Sequence, residues 1–274
     1  MTKITFNSSL VGTQTVEVWL PPEYGGGNHF PILYLFDGQD LFPHCIDKYK
    51  RSWNLDSTLC TLIGSAEIDA CIVVALHCDV KHRFEEYFPE KFLMNDTQES
   101  RLKFLEQIDT PLFSDRYLRF ITEELKQEID KRFSTKTDST FTYIGGSDLG
   151  ALTSLYAVCE YPHVFGAAIC MSPCLLGFKK EEDSPLYELL NAYLDEYLPQ
   201  PGAHRFYIDF GMEGKDGRSL MEFNGILQTF LALGYGPYSF GLVKLEDGDS
   251  KVESWRERIG DALVFMLGHE RMGK

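Results

Sequence analysis

No stretch of this chain approaches the ~20 consecutive apolar residues that a bilayer span requires, so a membrane partner is not expected. The first residues, MTKITFNSSLVGTQTVEVWL, lack a basic start, an apolar centre and a small-residue cleavage site. No secretory signal is therefore expected. The seven cysteines form no C-x-x-C pair and no Cys/His spacing suited to zinc, so neither a metal nor another cofactor is expected. Their odd number and their place in apolar runs such as ACIVVALHC and AAICMSPC point to buried thiols in a reducing, cytoplasmic setting. Basic residues are scarce, 26 Lys and Arg against 41 Asp and Glu, and the net charge of −15 argues against nucleic acid or an anionic surface as partner. No repeat, low-complexity tract or Pro/Gly/Ser-rich linker divides the 274 residues. One domain over 1–274 is the expectation.

Twenty phenylalanines and fourteen tyrosines supply ample material for a core. Strand-like runs occur at 15–20, 31–38, 71–77, 141–146, 166–173, 205–211 and 238–247. Several are continuous apolar runs ending in Gly, Pro or Asp, as in strands covered on both faces. Between them lie helical periods at 115–133, 219–235 and 252–269, the first with Asp115 available as an N-cap. The alternation predicts an α/β fold with a central, mostly parallel sheet and helices on both faces. Functional groups in such sheets collect in the loops beyond the carboxyl ends of the strands.

The loop after 141–146 opens with Ser147 in FTYIGGSDLGALTSLYAV. Strand, Gly-x-Ser, helix is the arrangement of a nucleophile elbow, although a glycine-rich turn without chemistry has the same letters. The loop after PILYLFDG reads QDLF and lies where a backbone N–H could join that of Asp148 in an oxyanion hole. Glu213 and Asp216 in MEGKDG stand where a triad acid is needed, or are simply solvated. After the last strand, EDGDSKVESW contains no histidine, and none occurs between His204 and His269.

Five segments in order resemble the putative-esterase family of α/β-hydrolases, which includes esterase D, enterobactin-esterase-like enzymes and feruloyl esterases. They are LYLFDGQDLF, RFEEYFP, YLRFITEELKQEIDKRFST, GGSDLGALTSLYAVCEYPHVFGAAICMSP and GDSKVESWRERIGDALVFML. The resemblance implies an α/β-hydrolase fold and a serine nucleophile at Ser147. It places Gly38, Gln39 and Asp148 at the oxyanion positions and Glu213, with Asp216 as understudy, at the acid. Arg83 falls in the segment that resembles the family's R-x-x-E-Y-x-P stretch and is a candidate for contacting substrate; by their place in loops after strands, so are His44 and Cys174, the latter unless it is a buried inert thiol. Counted back from Trp255, the family's catalytic histidine position falls on Ser250. The glycine two residues after the family's serine is replaced by Leu149, which implies an altered turn.

A serine hydroxyl cannot take and return a proton near neutral pH as imidazole does. Losing the base of a serine triad costs on the order of 10⁶ in kcat. His77 at the end of a strand, or His44 in a neighbouring loop, is the candidate for a relocated base. Three readings follow: a degenerate esterase that binds a small-molecule ester, acyl or phenolic ligand; a working carboxylesterase with a relocated base; and a non-catalytic interaction protein on the same scaffold.

Overall fold

The computed structural model describes residues 1–43, 52–95, 110–173, 186–211, 220–245 and 251–268. Its centre is an eight-stranded sheet built from β1 (Thr2–Ser8), β2 (Gly12–Trp19), β3 (Ile32–Leu35), β4 (Ile72–Leu76), β5 (Thr142–Ser147), β6 (Ala167–Met171), β7 (Arg205–Gly211) and β8 (Phe240–Leu245). The spatial order is β1-β2-β4-β3-β5-β6-β7-β8. The pairs β1/β2 and β2/β4 are antiparallel, and all others are parallel.

The central strands ILYL, IVVAL and AAICM are buried at every position because both faces carry helices. Alternation sorts their side chains. Ile32, Tyr34, Ile72, Val74, Ile144 and Ala168 join one core cluster, and Leu33, Leu35, Val73, Ala75, Tyr143 and Ile169 join the other. On the second face pack α1 (Leu55–Gly64), through Leu55 and Leu59, and α7 (Val252–Leu267), through Ile259, Leu263 and Met266. The first face is covered by α2 (Arg83–Tyr87), α3 (Ser114–Arg119, Phe120–Leu125 in π geometry, then Lys126–Arg132) and α4 (Leu149–Glu160). Leu190 and Tyr193 of α5 (Leu186–Tyr197) and Ile226 and Phe230 of α6 (Leu220–Ala232) complete that face.

Every strand run expected from the pattern is a strand. β1 was not among them because it is an edge strand that buries only Ile4 and so carries little apolar signal. Asp115 is not an N-cap. It lies inside the first turn of α3, where its N–H donates to Glu90 Oε1 at 3.1 Å and its Oδ1 accepts from the Tyr156 hydroxyl. Among the described residues no helix is long and apolar enough to cross a membrane. The described cysteines are all free, with Cys71, Cys159 and Cys170 buried and Cys60 exposed.

The fold brings the ends of β3, β5 and β6 side by side. Each of these neighbouring strands is followed by a non-glycine residue with positive φ: Asp37 at 56°, Asp148 at 55° and Ser172 at 48°.

Candidate functional site

The turn between β5 and α4 is sharp and strained, and the residue that bears the strain is Asp148, at φ 55° and ψ −118°. Such a conformation costs a non-glycine residue about 1–3 kcal/mol and persists only where its surroundings hold it. Ser147 is the last residue of β5, in register with Met171 of β6, and is only 2% exposed. The strained position expected for Ser147 is therefore one residue later. Two glycines account for the offset. A Cβ on Gly146 would lie 2.9 Å from the Gly150 carbonyl carbon, and one on Gly150 would lie 2.9 Å from Phe36 Cβ. These close approaches make Gly146-Ser147-Asp148-Leu149-Gly150 the tight Gly-x-x-x-Gly turn, centred on Asp148. The expected departure at Leu149 disappears with this register, because the second glycine is Gly150.

The expected oxyanion role of the Asp148 N–H is also corrected. That group donates to the Met171 carbonyl at 3.0 Å, continuing the parallel ladder, and has no bond left for a ligand. The first N–H beyond the strained residue belongs to Leu149. Gly38 and Gln39 form a 3₁₀ turn with Asp40, closed by the Asp40 N–H on the Asp37 carbonyl at 2.9 Å. The Gln39 side chain turns to Cys78, accepting from its N–H and donating to its Sγ, each at 3.2 Å.

Between the two left-handed aspartates stands Arg83. α2 is only five residues long, and its i, i+3 and i+4 positions carry Arg83, Glu86 and Tyr87 on one face. Arg83 Nε and Nη2 donate to the two oxygens of Asp37 at 2.8 Å each, and Nη1 donates to Asp148 Oδ2 at 3.2 Å. The Asp37 N–H donates to the Tyr87 hydroxyl at 3.3 Å, so one helix face grips the end of β3 at two points. Burial alone would lower the Arg83 pKa, but Asp37 and then Asp148 more than reverse this, and the guanidinium stays charged. Arg83, expected to meet substrate, is thus engaged first with carboxylates of its own chain.

Two neighbours report the local charge. The Cys78 thiol donates to Asp37 Oδ1 at 3.3 Å; burial, then the Asp37 charge, push its pKa well up, so it is a protonated donor. Glu86 is 2% exposed, and burial followed by the Asp37 and Asp79 charges push it up to about 8.

His77 does not join this cluster. Strand alternation carried past β4 puts His77 on the Ala75 side and Cys78 on the Asp37 side. His77 Nε2 stands 3.6 Å from Glu17 Oε2 of β2. His44, Cys174, Glu213, Asp216 and Ser250 lie outside the described residues. Asp37, Cys78, Glu86 and Tyr87 were missed by the motif reading. For Asp37 the signal is an aspartate closing a buried strand in YLFDG.

Beside the elbow lies a second charged group. Asp209 of β7 is fully buried, and its Oδ1 accepts the Ser172 N–H at 2.9 Å. Arg258 of α7 donates through Nη2 to Ser172 Oγ at 2.9 Å and places Nε 3.5 Å from Asp209 Oδ2. Among the described residues no group of three His, Cys, Asp or Glu side chains is arranged to hold a metal.

A family model described as putative esterase matches residues 8–232, most of the chain. The chain belongs to the putative-esterase family. The chain is also similar to the uncharacterized protein YjcH of Bacillus subtilis, 27% identical over 271 residues, covering 96% of this chain and 95% of that one. Two solved structures share the α/β-hydrolase fold of these esterases. The enterobactin esterase of Shigella flexneri is 16% identical with a TM-score of 0.69, and the match covers 97% of this chain but only 58% of that one. A ferulic acid esterase is 17% identical with a TM-score of 0.68, covering 97% and 96% of the two chains. In this putative-esterase chain, the strained residue of the strand-to-helix turn is Asp148 rather than Ser147.

Proposed function

We propose that this member of the esterase family binds a small-molecule ester, acyl or phenolic ligand at the carboxyl edge of its sheet and has given up serine hydrolysis. The observation that carries the reading is Asp148 at the strained elbow, tied to Arg83, with Ser147 withdrawn into the strand. A carboxylate attacking an ester carbonyl forms a tetrahedral adduct from which the carboxylate, not the poorer alkoxide, departs. The adduct therefore reverts to substrate. Ser250 at the histidine position of the motif supports the same reading, because no hydroxyl replaces imidazole as a base. The ligand is a small molecule, the chain acts as one domain, and its compartment is the cytoplasm. Enterobactin and ferulic esters, named for the structural neighbours, are natural first ligands to try.

The test is hydrolysis of p-nitrophenyl acetate and of a feruloyl ester by the natural protein, Ser147→Ala and His77→Ala. The expected result is no hydrolysis above buffer in any of the three. Turnover abolished by Ser147→Ala overturns the reading, and turnover also abolished by His77→Ala identifies a working esterase with a relocated base.

A further inference from the structure

β8 ends the sheet on one side, with β7 along one edge and no described strand along the other. The Phe206 N–H of β7 donates to the Ser239 carbonyl at 2.8 Å. Strand alternation then turns the backbone groups of Gly241, Val243 and Leu245 toward β7 and those of Phe240, Leu242 and Lys244 outward. The Phe240 N–H is taken by the Gly236 carbonyl at 2.8 Å. The Phe240 carbonyl and both backbone groups of Leu242 and Lys244 therefore point outward with no bond among the described residues.

Soluble proteins blunt such an edge with charge, proline or a bulge. β1, the opposite edge, follows that rule: TKITFNS is mostly polar and buries only Ile4. β8 does not. FGLVKL holds one charge and no proline, and its register with β7 runs from Phe240 to Leu245 without a bulge. Leu242 and Val243 are half-buried, on opposite faces of the sheet. The covering helices are apolar at their surface as well. Phe230 of α6 stacks on Phe240, and its neighbour Leu231 is 49% exposed; Phe265 of α7 lies over Gly241, and its neighbour Val264 is 39% exposed. Tyr238, two residues before the strand, is 87% exposed.

We propose that β8 is the contact between two copies of this chain, which pair the strand with itself antiparallel about a two-fold axis and join their sheets. The outward groups are self-complementary. With the axis at Leu242, each Leu242 exchanges both bonds with its own copy, and each Lys244 N–H meets the Phe240 carbonyl that lacks a donor. With the axis at Val243, Leu242 and Lys244 of one copy exchange both bonds with Lys244 and Leu242 of the other. Either register keeps Lys244 opposite an apolar residue and away from the second Lys244, so the one charge of the strand does not oppose pairing. A free peptide would meet the same backbone groups. A second copy also brings Leu242, Val243 and the two covering helices, so the apolar rim of both partners leaves water.

Sedimentation equilibrium of the full chain tests this at about 0.15 M ionic strength, where repulsion between two chains of net charge −15 is screened. The expected species has twice the 31.3 kDa of one chain. Lys244→Pro removes an outward N–H and no bond to β7, and should raise the dissociation constant at least about tenfold. Lys244→Ala keeps the N–H and should stay dimeric. Amide exchange of the natural protein gives a second readout that needs no variant. The Leu242 and Lys244 amides should be protected at high concentration and exchange faster on dilution, while Gly241 and Val243, bonded to β7, should not change. A monomer at ~100 μM overturns the proposal. So does a dimer that folded Lys244→Pro leaves as tight, protection of Leu242 and Lys244 that ignores dilution, or an open series of larger assemblies, since a two-fold contact closes at two copies.

Discussion

Asp148 holds a backbone conformation worth about 1–3 kcal/mol of strain, and a guanidinium bonded to its side chain helps to hold it there. The position, more than the residue type, is what an esterase elbow supplies. Replacing Asp148 by serine should therefore put a hydroxyl where the turn aims it, and Ser250→His should add the base. The double variant is expected to hydrolyse p-nitrophenyl acetate at least about 10²-fold faster than the natural protein, the scale of general-base assistance. Each single change should give far less, because nucleophile and base act as a unit. Adding Ser147→Ala to the double variant should leave the gain intact; loss of activity there would return the nucleophile to Ser147. Glu86 carries a second prediction at this scale. Its folded pKa of about 8 lies above the ordinary 4.5, so its contribution to stability is fully present below pH 4.5. That contribution falls as pH rises, because the unfolded chain ionises first, and it levels off above about 8. Urea unfolding of Glu86→Gln should show a gain in stability over the natural protein that grows from pH 5 to 8, with a slope of at most ~1.4 kcal/mol per pH unit.

At the scale of elements, the elbow is the contact of β5 with the first turn of α4, and it closes only because Gly146, Gly150 and Phe36 pack without intervening side-chain atoms. Gly146→Ala would push a methyl against helix backbone, which cannot rotate away. Gly150→Ala would push one against Phe36 Cβ, at the root of a side chain buried in the core. Both substitutions should destabilise by about 1–3 kcal/mol in urea unfolding, the usual range for overpacking. α2 works in the opposite sense. Five residues cannot make a stable helix alone, so its place depends on the Arg83 fork and the Tyr87 hydroxyl at Asp37. Arg83→Lys keeps the charge but cannot span both Asp37 oxygens and Asp148. Amide exchange at 83–87 should become faster in that variant, while exchange in the central strands stays unchanged.

Across the whole molecule, α7 is tied to β7, the strand beside the sheet's edge, by a buried charge pair. Asp209 is fully buried, and Arg258 meets both it and Ser172. Arg258→Met should cost about 3–5 kcal/mol, the range for removing one partner of a buried pair. Arg258→Met combined with Asp209→Asn should recover part of that loss, and equal losses in single and double variants would show that the pair is not what couples the helix to the sheet.

The fold class was legible because its signals are local. Buried runs such as IVVAL and AAICM need only their own apolarity to declare strands covered on both faces. The amphipathic runs at 219–235 and 252–269 likewise contain the helices Leu220–Ala232 and Val252–Leu267. The ordered motifs were enough to assign the family, and the absence of histidine from 205–268 needs no structure at all. The site was legible only in outline. GGSDLG admits two turns one residue apart, and letters alone favoured the serine. Which residue becomes left-handed depends on where Gly150 meets Phe36 and where the Asp148 N–H finds the Met171 carbonyl, contacts between segments more than 20 residues apart. The union of Asp37, Arg83 and Asp148 has the same origin: three residues from three loops become one charged cluster only when β3 and β5 lie side by side with α2 across their ends.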